Sequence, residues 1–134
     1  MKMLKILGHP YTVVISFLLL LISGEHFGGF YILYILLALP HGGIHAVLAV
    51  LGIAVLLFNQ YKRPVAIVAV LASFAGLIFL LLSLFFFFYN DSSRYNAATF
   101  EQTIPLLSLA GFGIFVLSSI VNNFMLLTQA RYLR

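Results

Sequence analysis

Four residues of this chain are placed in the sequence so that they could converge to hold a metal ion or a proton. Glu25 and His26 stand just ahead of Gly28-Gly29, and His41 and His45 lie in the stretch PHGGIH (40–45). Two histidines one helical turn apart present both imidazoles to one ion, and a carboxylate with a third histidine completes a zinc- or iron-type shell. The same group suits proton handling, because imidazole titrates near neutral pH. Haem is a variant of the metal reading. It needs axial histidines on facing helices, and His26 is the residue able to face the His41/His45 pair. A plainer reading competes with these: a neutral histidine inside a bundle bonds a serine, or a carbonyl that Pro40 leaves free. His9, just before Pro10, is expected at the opposite end.

The elements that position these residues follow from the solvent the chain requires. Of its 134 residues 63% are hydrophobic and 7% are charged, and the mean hydropathy is +1.15. A soluble domain carries about 25% charged residues, so this chain lacks the polar surface to coat a water-soluble globule. Lipid is the expected surroundings. The absence of cysteine excludes disulfides, thiolate metal sites and cysteine nucleophiles. A net charge of +4 would suggest nucleic acid in a soluble protein. Here the basic residues sit at chain ends and connections, where they orient helices, and no nucleic-acid partner is expected.

Four apolar segments predict an all-α, polytopic integral membrane protein, a four-helix transmembrane bundle in one domain. The helices are expected over 4–23, 30–58 with a break at 40–43, 64–89 and 104–128, with an extracytoplasmic loop at 90–103. The first could pass for a signal peptide, but Ser23-Gly24 makes a poor cleavage site, so it reads as a membrane helix. The second is too long: its 29 residues make about 43 Å of helix against a hydrocarbon core of ~30 Å. A crossing from His41 to Phe58, preceded by a tilted or re-entrant half-helix over 30–39, resolves the mismatch. The bend falls at Pro40 and the glycines.

Orientation follows from the cations. Lys2, Lys5, Lys62, Arg63, Arg131 and Arg134 fall on one side of a four-crossing chain, while Arg94 falls on the other with Glu25, Asp91 and Glu101. Lys and Arg concentrate on the cytoplasmic side. Both termini are therefore expected to be cytoplasmic, in a cytoplasmic-type (inner) membrane. Tyr11, Tyr61 and Tyr132 would anchor the inner interface, and Tyr31, Tyr89 and Phe85–Phe88 the outer one.

Each helix also sorts its small and polar residues onto one face. Gly42, Ala46, Ala49 and Gly52 do so in the second helix, with His41 and His45. Ala69, Ser73 and Gly76 do so in the third, and Gly111, Ser118, Ser119, Asn122 and Asn123 in the fourth. Such stripes serve close helix packing; the Asn122-Asn123 pair near the inner end could bind something, but such a pair more often bonds backbone or a neighbouring helix.

Several activities are set aside. Four histidines are too few for a two-iron membrane desaturase, the glycine pairs lack the spacing of a phosphate loop, and no serine has a nucleophile-elbow context. Small four-helix multidrug exporters carry an acidic residue deep in helix one, whereas Glu25 lies at its end. The expectation is a non-enzymatic structural or accessory subunit, packed in a bilayer against other membrane subunits or itself. The alternatives are a metal-, haem- or proton-handling protein built on Glu25, His26, His41 and His45, and a small transporter or channel lined by the Ser, Asn and His stripes.

Overall fold

The computed structural model describes residues 2–24, 28–62, 65–90 and 95–132. The chain is mostly helical, with a small antiparallel β-hairpin. Its elements are α1 (Lys2–Leu7), α2 (Pro10–Leu18), β1 (Leu21–Ser23), β2 (Gly28–Phe30), α3 (Tyr31–Ala38), α4 (Ile44–Lys62), α5 (Ala66–Tyr89), α6 (Ala98–Glu101) and α7 (Thr103–Tyr132). Among the described residues, three stretches are long and apolar enough to cross a membrane: Ile44–Lys62, Ala66–Tyr89 and Thr103–Gln129.

The antiparallel pair α4 and α5 is the centre of the fold. On α4 the residues facing its partner are His45, Ala49, Gly52, Leu56 and Asn59; on α5 they are Ala69, Ser73, Gly76, Leu80, Ser83 and Phe87. Both series alternate steps of four and three, the spacing of a left-handed pair crossing at about 20°. The register repeats every seven residues. Ser83 Oγ donates to the His45 carbonyl at 2.7 Å, Gly52 faces Gly76, and Asn59 Nδ2 donates to the Ala69 carbonyl at 2.7 Å. The glycine level is the tightest. A Cβ on Gly52 would lie 2.9 Å from the Gly76 carbonyl oxygen, and one on Gly76 would lie 2.7 Å from Leu56 Cγ.

The break expected at 40–43 is a helix stop followed by a fresh start. Gly42 adopts φ 67, its N–H bonds the Leu39 carbonyl at 3.1 Å, and the Gly43 N–H bonds the Ala38 carbonyl at 3.0 Å. This is the Schellman arrangement, in which a left-handed residue after the last turn satisfies the orphan carbonyls. The half-helix α3 folds back beside the start of α4, bringing the Tyr31 ring 6.5 Å from that of His45.

The first segment departs from expectation. A continuous helix over 4–23 does not form. Pro10 lacks an N–H and forces the preceding residue out of the α region; His9 accordingly sits at ψ 138 and caps α2, its ring accepting the Tyr11 N–H. The helix then stops at Leu18, and Leu21–Ser23 pairs with Gly28–Phe30. The outer edge of β1 is covered by hydroxyls from distant residues. Ser108 Oγ accepts the Leu21 N–H at 3.0 Å, and Thr99 Oγ1 accepts the Ser23 N–H at 2.9 Å. The segment nonetheless runs along the first two-thirds of α7. Gly8 lies against Ser118, while Ser23 Oγ donates to Gln102 Oε1 at 2.6 Å. From 102 to 122 the chain of α7 rises about 30 Å. The expected loop at 90–103 is partly ordered too, holding a 3-10 turn (Tyr95–Ala97) and α6.

The core between these layers is aromatic. Tyr31 and Phe17 are fully buried, with ring centroids 5.2 Å apart; Phe87 meets Tyr31 at 5.0 Å, and Phe112 meets Phe17 at 5.6 Å. Edge and tilted contacts of this kind add about 0.5–1.5 kcal/mol beyond area burial.

Among the glycines, Gly76 and Gly111 separate two roles. Gly76→Val should cost about 1–3 kcal/mol through overpacking of the α4–α5 seam, seen as a lowered melting temperature in detergent. Gly111→Ala, where a Cβ meets nothing within 4 Å, should leave stability unchanged or raise it by up to ~1 kcal/mol through helix propensity. Equal effects at the two positions would contradict the seam.

Candidate functional site

The two ends of the helix stack differ in chemistry. Lys2, Lys5, Lys62 and Arg131 all sit at the end where α4 and α7 finish, hereafter the basic end; Glu101 sits at the other, the far end. A cavity of about 340 Å³ opens at the basic end, between α1–α2, α4, α5 and α7.

Each wall comes from a local feature of the sequence. The helix break at Gly8-His9-Pro10 lays backbone and the His9 ring along one side, and Lys5 adds a cation. A Cβ on Gly8 would come within 2.6 Å of the Ser118 backbone, so glycine is what lets this segment approach α7. Asn122 Nδ2 secures the approach by donating to the Leu4 carbonyl at 2.9 Å. From α4 come Asn59 and Gln60, the last polar residues of the seam before Lys62. Asn59 Nδ2 donates twice, to the Ala69 carbonyl at 2.7 Å and to Ser73 Oγ at 2.9 Å, and the Gln60 amide lies 3.4 Å from His9 Nε2. From α7 come Ser119, Asn123 and Gln129, with Met125 and Leu126 beside them.

Asn59, Ser119 and Asn123 all bring polar groups to this cavity. Asn59 Oδ1 is buried and without a partner. Ser119 is 4% exposed and Asn123 6% exposed, and neither side chain hydrogen-bonds another described residue. An unpaired buried polar group costs about 1–3 kcal/mol, and the Asn59 oxygen carries that cost beside two further polar side chains. Among the described residues that line it there is no carboxylate.

The residues proposed for metal or proton chemistry are distributed differently. Glu25 and His26 lie outside the described residues. His41 is exposed in the 3-10 turn Leu39–His41, while His45 stands in the first turn of α4. Gly42 and Gly43 separate them, so they do not share one continuous helix face. Among the described residues no group of three His, Cys, Asp or Glu is close enough to hold an ion. His45 packs its ring 5.2 Å from that of Phe87, and its Nε2 is buried without a partner. Below it, Tyr31 O–H bonds Ser83 Oγ at 2.8 Å, and Ser83 passes the chain on to the His45 carbonyl.

Of the residues expected to pack, Ala46, Ala49, Gly52, Ser73 and Gly76 are buried and Ser118 is buried against Gly8. Ala69 supplies a carbonyl to the seam and Asn122 fastens α1. Gly42 and Gly111 have open space around them; Gly42 is a cap. Asn59 and Gln60 read in the sequence as part of the polar connection NQYKR. The signal that finds Asn59 is the seven-residue series His45, Gly52, Asn59, which carries the interior face into that connection. Comparison of the chain with protein-family models, curated proteins and solved structures finds no match.

If Asn122 is the fastening of α1, then Asn122→Ala should free the N-terminal turn while leaving the rest of the bundle folded. Trypsin cleavage after the exposed Lys5, followed by mass spectrometry, should become several-fold faster. An unchanged rate would mean that the Gly8 contact alone holds the segment.

Proposed function

We propose that this is a small, non-enzymatic membrane protein of four crossings, a binding or accessory component of a cytoplasmic-type membrane with both termini on the cytoplasmic side. The observation that carries the binding role is the cavity at the basic end, lined by Ser119 and Asn123 and by the unpaired oxygen of Asn59. Four crossings follow when the first segment is counted with the three long helices. The helix α2 supplies about 14 Å and the strand β1 roughly 10 Å more, alongside α7. Non-helical backbone is tolerated at membrane depth where protein covers it, and the hydroxyls of Ser108 and Thr99 do so here. The orientation rests on the gathering of Lys2, Lys5, Lys62 and Arg131 at one end. On this reading the cavity faces the cytoplasmic headgroup region, and the apolar outer faces meet lipid or neighbouring subunits.

Because the chain has no cysteine, single cysteines report side and access directly. Thr103→Cys at the far end and Gln129→Cys at the basic end should react with a membrane-impermeant maleimide from opposite sides, Gln129→Cys from the cytoplasm. Labelling of both from one side would sink the topology. Ser119→Cys should react with a small, water-soluble maleimide through the cavity, and its failure to react would sink the binding role.

A second reading is favoured by one observation, the buried and unpartnered Nε2 of His45. It keeps an ion- or haem-holding site at the far end, with His41, Glu25 and His26 as further members. Elemental analysis and a visible spectrum of the purified protein and of His45→Ala decide it. A stoichiometric metal or haem band lost in the variant supports the site, and neither metal nor colour in the parent removes it.

A further inference from the structure

We infer that the cavity at the basic end is a phosphate-binding site, one that takes a phosphate group together with an adjacent hydrogen-bond donor, as in a phospholipid headgroup or a partly protonated free phosphate. The inference rests on the binding role proposed above and names its ligand class.

The sign of charge comes first. Lys5 stands on the cavity wall, no carboxylate lines it among the described residues, and Lys2 and Lys62 lie at the same end. A concave site with one sign of charge concentrates the opposite ion. The hydrogen-bonding groups point the same way. Asn123 and Ser119 are more than nine-tenths buried, line the cavity and offer an amide and a hydroxyl, both competent donors to phosphate oxygens. Charge-assisted bonds of this type are about twice as strong as neutral ones.

Asn59 Oδ1 refines the ligand. It is a buried acceptor with no partner, so a ligand made of acceptors alone would leave it bare. A P–OH group satisfies it, and so does an ammonium or hydroxyl carried next to a phosphodiester. Size and level fit as well. The cavity's 340 Å³ falls at the small end of ligand pockets, which run about 300–1,000 Å³. That is room for a headgroup and not for acyl chains. Met125 and Leu126 give it one apolar side. Gln60 is two residues from Lys62 and next to the exposed Tyr61, residue types that mark the membrane interface, where lipid phosphates lie.

The test uses the purified full-length chain in a maltoside detergent free of phosphorus, titrated by calorimetry with inorganic phosphate and with dihexanoylphosphatidylethanolamine. Saturable binding of either probe is expected, weakened tenfold or more by Asn123→Leu and about fivefold by Lys5→Gln. A preference for the lipid probe assigns the site to a headgroup, and an equal or greater affinity for inorganic phosphate assigns it to the free ion. Ser119→Ala serves as the milder cavity variant should Asn123→Leu lose its cooperative melting, and it is expected to weaken binding three- to fivefold. Binding indifferent to these cavity changes would overturn the inference. So would the absence of phosphate binding. In that case, slowing of Ser119→Cys labelling by acetamide would leave a neutral-ligand cavity standing, whereas a cysteine there that never reacts would remove the binding role as well.

Discussion

The rest of the structure depends on how closely α4 and α5 approach. At the Gly52/Gly76 level each helix presents hydrogen where any other residue presents a Cβ, and the neighbouring carbonyl and Leu side chains occupy that space. In lipid there is no hydrophobic force to drive such a pair together, because the tails are as apolar as leucine. Association relies instead on close packing and on hydrogen bonds that have no water to compete with them. Both lie on the same seven-residue repeat: glycine against glycine at the centre, Ser83 on the His45 carbonyl at one end, Asn59 on the Ala69 carbonyl at the other. The packing sets the distance and the two polar levels set the register.

What lies outside this pair is organised by the need to satisfy backbone. The N-terminal segment abandons the helix after Leu18, which frees N–H and C=O groups that a bilayer cannot solvate. Residues far away in sequence supply the partners: Ser108 for the Leu21 N–H, Thr99 for both the N–H and the carbonyl of Ser23. These bonds also tie α6 and the start of α7 to the hairpin. Without the hairpin, α6 would lose much of its reason to sit where it does. At the opposite end Asn122 plays the corresponding part for the Leu4 carbonyl.

Much of this was legible in the residues. The three long apolar helices, the discontinuity at PHGG and the inward faces of α4 and α5 follow from hydropathy, from one proline with two glycines, and from small residues at helical spacing. The stop before His9-Pro10 breaks the helix expected over 4–23, and its cause, proline's missing N–H, lies in the sequence. The hairpin is not legible in this way, because Phe17–Ser23 reads as one apolar run and what makes its end a strand is a pair of hydroxyls some eighty positions later. The His41/His45 pair shows a different limit. Four-residue spacing implies a shared face only while the helix is unbroken, and the left-handed Gly42 intervenes. The cavity combines both difficulties. Ser119 and Asn123 were visible as a polar stripe, yet Asn59 and Gln60 were hidden in what resembled a loop, and Lys5 and His9 come from a segment whose break places them there.

The asymmetry between the ends bears on which one is built to bind. Polar groups at the far end mostly close on each other: Tyr31 on Ser83, Ser83 on the His45 carbonyl, Thr99 on Ser23, Ser23 on Gln102. Such closed chains hold a fold together and offer nothing outward apart from the single Nε2 of His45. At the basic end the bonding is less complete. Asn59 uses its amide nitrogen and leaves its oxygen bare, and Ser119 and Asn123 are buried with no partner among the described residues. A bundle gains no stability from such groups, since serine and asparagine in that position cost more than alanine and leucine when they bond nothing. Their gathering around one space beside a lysine is what the proposed ligand role rests on. The same residues that leave the basic end incompletely bonded as an isolated chain are those through which it would hold a ligand.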